Sequence, residues 1–200
     1  SDNISADRDL KAESLRWRLA HDRIRVSGEP GDKRLSGMQE LGYSSLDMSF
    51  RTIFDWSWAT GEASLTTDGS GAGMGVYSAR LDVSNLTEAI FTADRKIAAV
   101  AALPIAVRKA EVRLEDNGLI GAAVNLRARK KKIEKSAARR EMAAEARKGL
   151  DANKKLPFVD KIADALEAFL RDPKAPLRVT LTASPGVSIF DAVTSKQPEQ

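Results

Sequence analysis

Apolar residues alternate with polar ones over much of the first half of the chain. Leu15, Trp17 and Leu19 lie two apart, as do Leu46, Met48 and Phe50, and then Phe54, Trp56 and Trp58. Each run puts its apolar side chains on one face of a strand. Ala20-His21-Asp22-Arg23 separates the first run from Ile24 and Val26, which predicts a hairpin turn at that point. Thr60-Gly61 predicts a second turn, after which Ala63 and Leu65 share a face; glycines 69, 71, 73 and 75 predict a loose loop before a strand over 76–83. These runs succeed one another without intervening helices, so an antiparallel meander is expected.

The period lengthens after Ser84. Asn85-Leu86-Thr87-Glu88 spells a capping box for a helix over 86–102 that ends before Pro104. Val112 and Leu114 then alternate with Glu111 and Arg113 in a strand, Leu114 facing the core, and Asp116 or Asn117 is placed to cap the next helix. Apolar positions from Leu119 to Leu150 drift around that helix, which is long and exposed. Phe158, Ile162, Leu166 and Phe169 predict a helix over 157–170, Leu177, Val179 and Leu181 a strand, and 187–193 a short turn or helix. The expected fold is α+β, a twisted antiparallel sheet or meander with packed helices and one long basic helix. Residues 1–40 read as an N-terminal hairpin and mobile connection packed on the main domain, 41–194 as the main α+β domain and 195–200 as a flexible tail.

At 200 residues the chain is long enough to bury a core without a metal or disulfide staple. Its 42% hydrophobic and 30% charged residues describe a folded protein and not a disordered one. Zero cysteine excludes disulfides and thiol catalysis. No run approaches the roughly 20 apolar residues that a membrane-spanning helix needs, so no transmembrane span is expected.

Charge changes the picture more. The net +4 conceals ten Lys or Arg against three Glu between Arg127 and Lys148, a local +7 that leaves −3 for the rest of the chain. Arg127, Arg129, Lys130, Lys131, Lys132, Lys135, Arg139 and Arg140 are therefore the candidate contacts for an anionic surface, whether lipid headgroups or nucleic acid phosphates. The helix carries no aromatic residue to stack on bases, and three glutamates interleave with the cations. A solvated helix face competes with both readings.

Phe54, Trp56 and Trp58 share a strand face and are read either as core beneath a helix or as the wall of an apolar ligand groove. The other chemistry is sparse. His21 is the only histidine and falls in the expected hairpin turn, and the glycine run lacks the GK[ST] that would make a phosphate loop. Asp47, Asp55, Glu115 and Asp116 are the carboxylates nearest to patterned strands, but linear order holds no pair of them across a cleft, as a glycosidase requires. No catalytic residue, metal site or cofactor is assigned.

The segment DMSFRTIFDWSWATGEASLTTDGSGAGMGVYSARLDVSNL, with AEVRLEDNGLI before a helix and LRVTLTASP before a last apolar segment, repeats a unit of strand, polar cap and helix. Over 41–193 this style of repeat resembles the bacterial envelope proteins related to the AsmA-like group. The resemblance implies a curved antiparallel sheet with helices against it, a periplasmic or otherwise envelope-associated location, and a part in lipid handling. It offers no catalytic set, and the basic helix and the glycine run depart from the group's usual pattern.

The favoured expectation is a non-enzymatic envelope module, lipid-associated or scaffolding, whose partner is an anionic lipid surface or another envelope protein. The alternatives are a cytoplasmic module that binds nucleic acid or protein through the basic helix and, below it, a carboxylate-dependent enzyme.

Overall fold

A computed structural model describes residues 3–11, 13–27, 35–151 and 159–188. The fold is α+β. Seven strands lie in the order of the chain, each antiparallel to the one before: β1 (Asn3–Lys11), β2 (Ser14–Ser27), β3 (Ser45–Ser57), β4 (Glu62–Gly71), β5 (Gly75–Ser84), β6 (Ala106–Asp116) and β7 (Leu177–Ser188). A short α1 (Ser36–Glu40) precedes β3, within the stretch that the sequence predicts to be a mobile connection; residues 28–34 lie outside the described part. Helices α2 (Ala89–Thr92) and α3 (Arg95–Ala102) join β5 to β6, while α4 (Leu119–Lys131), α5 (Lys135–Asp151) and α6 (Val159–Arg171) join β6 to β7.

The first strand pair differs from the expected hairpin. Residues 20–23 do not turn the chain; β2 runs straight through them, and its register against β3 slips by one residue between His21 and Ile24, with Arg23 in the left-handed region at φ 62°. The bulge explains the sequence. Apolar side chains occupy odd positions through Leu19 and even positions from Ile24, a phase change that one extra residue corrects so that both sets face the same side. Similar irregularities fall between Val107 and Lys109 in β6 and where β7 passes its cis Ser184–Pro185 bond. Val187 and Ser188 belong to β7 and not to a terminal turn; residues 189–200, including the expected tail, lie outside the described part.

The glycine run is mostly strand. Gly69 belongs to β4, where a Cβ would meet the Tyr77 ring at 2.6 Å and the Ser49 carbonyl oxygen at 2.8 Å. Gly75 opens β5 at φ +158°, where a Cβ would lie 2.2 Å from the carbonyl oxygen of Glu115. Close strand packing therefore requires these glycines, and only residues 72–74 connect the strands.

Two helical expectations are corrected. The Asn85–Glu88 capping box does not form: Asn85 takes φ 63° and donates its amide to the Pro104 carbonyl at 2.9 Å. Instead Asp94 caps α3, accepting from the backbone N–H groups of Lys96 and Ile97 at 2.9 and 3.1 Å, and the segment splits into α2 and α3. The long basic helix likewise breaks in two. Lys132 adopts the left-handed conformation at φ 53°, and Ile133 N–H returns to the Ala128 carbonyl at 3.1 Å, closing the end of α4. The reversal lets α5 fold back on α4 around Val124, Ala128 and Ala138, with Ile133 tucked against them. Small side chains at this contact permit a close approach of the helices, and Ala143 and Ala163 are buried on α5 and α6. At the start of α4 the Asp116 carboxylate accepts from Ile120 N–H at 2.9 Å, supplying the expected cap.

Candidate functional site

Cross-strand register assembles the alternating residues into continuous rows. One runs Trp17, Phe54, Leu65, Leu81, Ala110, Leu181 from β2 to β7. The next runs Leu19, Thr52, Thr67, Ala79, Val112, Val179, and a third His21, Phe50, Gly69, Tyr77, Leu114, Leu177. All three occupy one face. Trp17, Leu65, Leu81, Val112 and Tyr77 are exposed there, while Leu177 is buried and Leu114 is half-buried beside it. Helix α6 packs on β7, the last strand of the rows, and the α2–α3 segment meets Trp56 in the row next to that of Phe54. Between them lies an apolar strip.

The aromatic stripe divides at this boundary. Trp56 is only 7% exposed and clusters with Ala63 and Leu86, with Phe54, Trp58 and Ile90 packed around them. Its indole N–H donates to the Leu86 carbonyl at 3.1 Å, and its ring lies 5.5 Å from Trp58 and 5.2 Å from Phe91. Trp58 lies just past the end of β3, where its N–H donates to the Glu13 carbonyl. Phe54 stands between this cluster and the strip. Trp56 therefore closes one edge, and Phe54 begins the open surface.

The opposite face is polar and laced with ion pairs: Arg16 with Asp55, Arg51 with Asp68 at 3.1 Å, Arg80 with Asp82 at 2.9 Å, Lys109 with Glu111 at 3.1 Å and Arg113 with Glu115. Asp55, through its hydrogen bond and its charge, raises the Arg16 guanidinium above its already high ordinary pKa. A groove of about 760 Å³ crosses this face, and Arg108 meets Glu62 at its edge at 2.9 Å. The carboxylates singled out in the sequence do not converge. Asp47 and Asp55 lie at opposite ends of β3, Asp55 and Glu115 are held by arginines, and Asp116 caps α4. Among the described residues no group of three or more His, Asp or Glu is arranged to hold a metal.

His21 is not on a turn but on the apolar face of β2, its ring edge-on to Phe50 at 5.9 Å and its Nε2 buried without a hydrogen-bond partner. Adjacent Asp22 falls in the bulge.

Most of the basic run is committed within the fold. Arg127 donates to Glu141 at 3.2 Å and to Glu145 at 2.8 Å, Lys131 to Glu141 at 2.5 Å, and Lys130 to Glu40 at 2.5 Å. Arg129 reaches the Glu40 carbonyl, and Arg139 reaches the carbonyls of Leu170 and Arg171, the negative end of the α6 dipole. The hydrogen bond from Lys131, then that from Arg127, holds the Glu141 carboxyl below the ordinary range, and the bond from Arg127 does the same for Glu145. Lys132, Lys135 and Arg140 take part in no ion pair among the described residues. These three remain at and beyond the α4–α5 corner.

Two arrangements are not legible in the sequence: the cross-strand rows and the outward apolar side chains of α2–α3, where Phe91, Ile97, Val100 and Leu103 are exposed. Alternation within each strand points to the first without giving its register; the second reads in sequence as a core-facing helix. A family model described as an uncharacterised protein matches residues 68–200. Neither the curated proteins nor the solved structures include a match.

Proposed function

The chain belongs to this uncharacterised family, and on that premise we propose that it is a non-enzymatic, lipid-associated module of the bacterial envelope whose apolar strip receives an acyl chain. The observation that carries the reading is the alignment of exposed Trp17, Leu65, Leu81 and Val112 in adjacent rows of one sheet face. A hydrocarbon chain laid there gains about 0.8 kcal/mol for each methylene removed from water. The sequence resemblance to AsmA-like envelope proteins supports a periplasmic setting and the same ligand class.

Internal pairing of Arg127, Lys130, Lys131 and Arg139 weighs against a nucleic-acid module, because each phosphate contact made by these groups first breaks a contact within the fold. Native mass spectrometry of protein purified without detergent tests the proposal. Copurifying acyl species, lost from a Leu65→Ser/Leu81→Ser variant that remains folded, are expected. Protein that is free of such species and takes up no added fatty acid or phospholipid would reject it.

A further inference from the structure

Helix α3 is packed the wrong way round for a core helix. At 100° per residue, Ala98, Ala101 and Ala102 fall on one side, and all three are half-buried. Lys96, Ile97, Val100 and Leu103 fall on the other and are exposed. The large aliphatic side chains thus point to solvent while the smallest point to the protein. Ile97 is 55% exposed, Val100 66% and Leu103 41%, and Phe91 on the preceding turn is 60% exposed. Among the described residues no other large apolar side chain is more exposed than Ile97, Val100 or Phe91.

The local charges suit this patch to one kind of partner. Arg95 and Lys96 are exposed and join no ion pair among the described residues. The acid beside them, Asp94, is turned into the start of α3, where its carboxylate accepts two backbone N–H groups. The outward arc of α3 presents aliphatic carbon and an ammonium group with no side-chain hydrogen-bond acceptor. That is the composition of an element that sinks into the boundary between acyl chains and anionic headgroups, with its long cationic side chains reaching back to the phosphates.

We propose that the α2–α3 segment docks the protein on an anionic phospholipid bilayer, with Phe91, Ile97, Val100 and Leu103 entering the interface and Arg95 and Lys96 meeting headgroup phosphates. The site is distinct from the basic corner of α4 and α5. It adjoins the apolar strip: Phe91 lies against Trp56, and the Trp56 row neighbours the row of Phe54, Leu65 and Leu81. Docking here brings one edge of the strip to the membrane. The assignment goes beyond the acyl-chain reading and stands without it.

Cosedimentation of the full chain with vesicles of phosphatidylcholine, alone or mixed with phosphatidylglycerol, provides the test. Wild type is expected to bind the mixed vesicles more tightly. An Ile97→Ser/Val100→Ser/Leu103→Ser variant should lose about tenfold or more in affinity, while its unfolding midpoint stays close to wild type because the altered side chains point outward. Arg95→Gln/Lys96→Gln should abolish the preference for mixed vesicles, and Val100→Trp should show a blue-shifted emission when they are added. Absence of wild-type binding overturns the proposal. So does binding unaffected by the triple substitution, binding lost only with Lys132→Glu/Lys135→Glu/Arg140→Glu, or self-association that the triple substitution disperses. Leu65→Ser/Leu81→Ser separates the two readings, since it should remove retained acyl species and leave vesicle binding intact.

Discussion

The indole N–H of Trp56 meets the carbonyl oxygen of Leu86 at 3.1 Å and ties the entry of the α2–α3 segment to the end of β3. Both residues are buried, so neither group has water as a substitute partner. Trp56→Phe should therefore cost about 1–3 kcal/mol, the penalty of an orphaned buried acceptor. Trp56→Ala should cost about 3–5 kcal/mol, because it adds a cavity. Denaturant unfolding of both variants measures the difference, and equal losses would show that the ring volume removed by alanine contributes nothing beyond the hydrogen bond at this site.

Leu177 and Leu65 lie on the same sheet face but in different surroundings. Leu177→Ala should cost about 2–4 kcal/mol, since its side chain is buried at the α6 end. Leu65→Ala should cost under about 1 kcal/mol, its side chain already meeting water. Urea melts of the two single variants check this ordering. A large loss at Leu65 would mean that the strip is covered in solution.

Glu141 and Glu145 give the α4–α5 contact an acid limit. Their folded-state pKa values lie below those of the unfolded chain, so their contribution is complete above the ordinary glutamate range and is lost as pH falls through the folded values. Stability measured from pH 7 downward should accordingly decline below about pH 4.3. The decline should be shallower in a Glu141→Gln/Glu145→Gln variant. An identical acid limb in both proteins would exclude these two carboxylates as its source.

The cations of the basic run should separate into two groups in thermal melts. Arg139→Gln removes donors from the last carbonyls of α6 and is expected to cost about 1 kcal/mol, whereas Lys135→Gln and Arg140→Gln should stay within about 0.5 kcal/mol of wild type. Lys132→Gly should stabilise by up to about 1 kcal/mol, because glycine takes the left-handed conformation at this helix end without strain. A destabilised Lys132→Gly would show that the lysine side chain contributes an interaction outweighing its backbone.

The α+β fold and most strands are legible in the sequence because alternation is a local property of the chain. Leu46, Met48 and Phe50 declare their common face without reference to any other strand. The phase change between Leu19 and Ile24 is visible too, but one-dimensional pattern does not distinguish a bulge from a turn; the partner strand decides, through Phe50 and Met48. Likewise, nothing within 127–140 indicates that Lys130 pairs with Glu40, a residue far away in sequence. The break at Lys132 arises from tertiary packing of Val124, Ala128 and Ala138 and not from a proline or glycine. For α3, periodicity identifies an apolar face but not its direction; the alanines turn inward because they allow close packing.

Each strand in the sheet bonds only to its predecessor and successor in the chain. The sheet can therefore grow strand by strand from β1 to β6, each step closing a connection much shorter than the one before β7, at a smaller entropic cost. The longest junction is the last: the three helices α4, α5 and α6 intervene before β7 reaches β6. The time course of assembly should consequently be governed by the arrival of this last strand, leaving the edge of β6 as the surface most open to mispairing in a newly made chain.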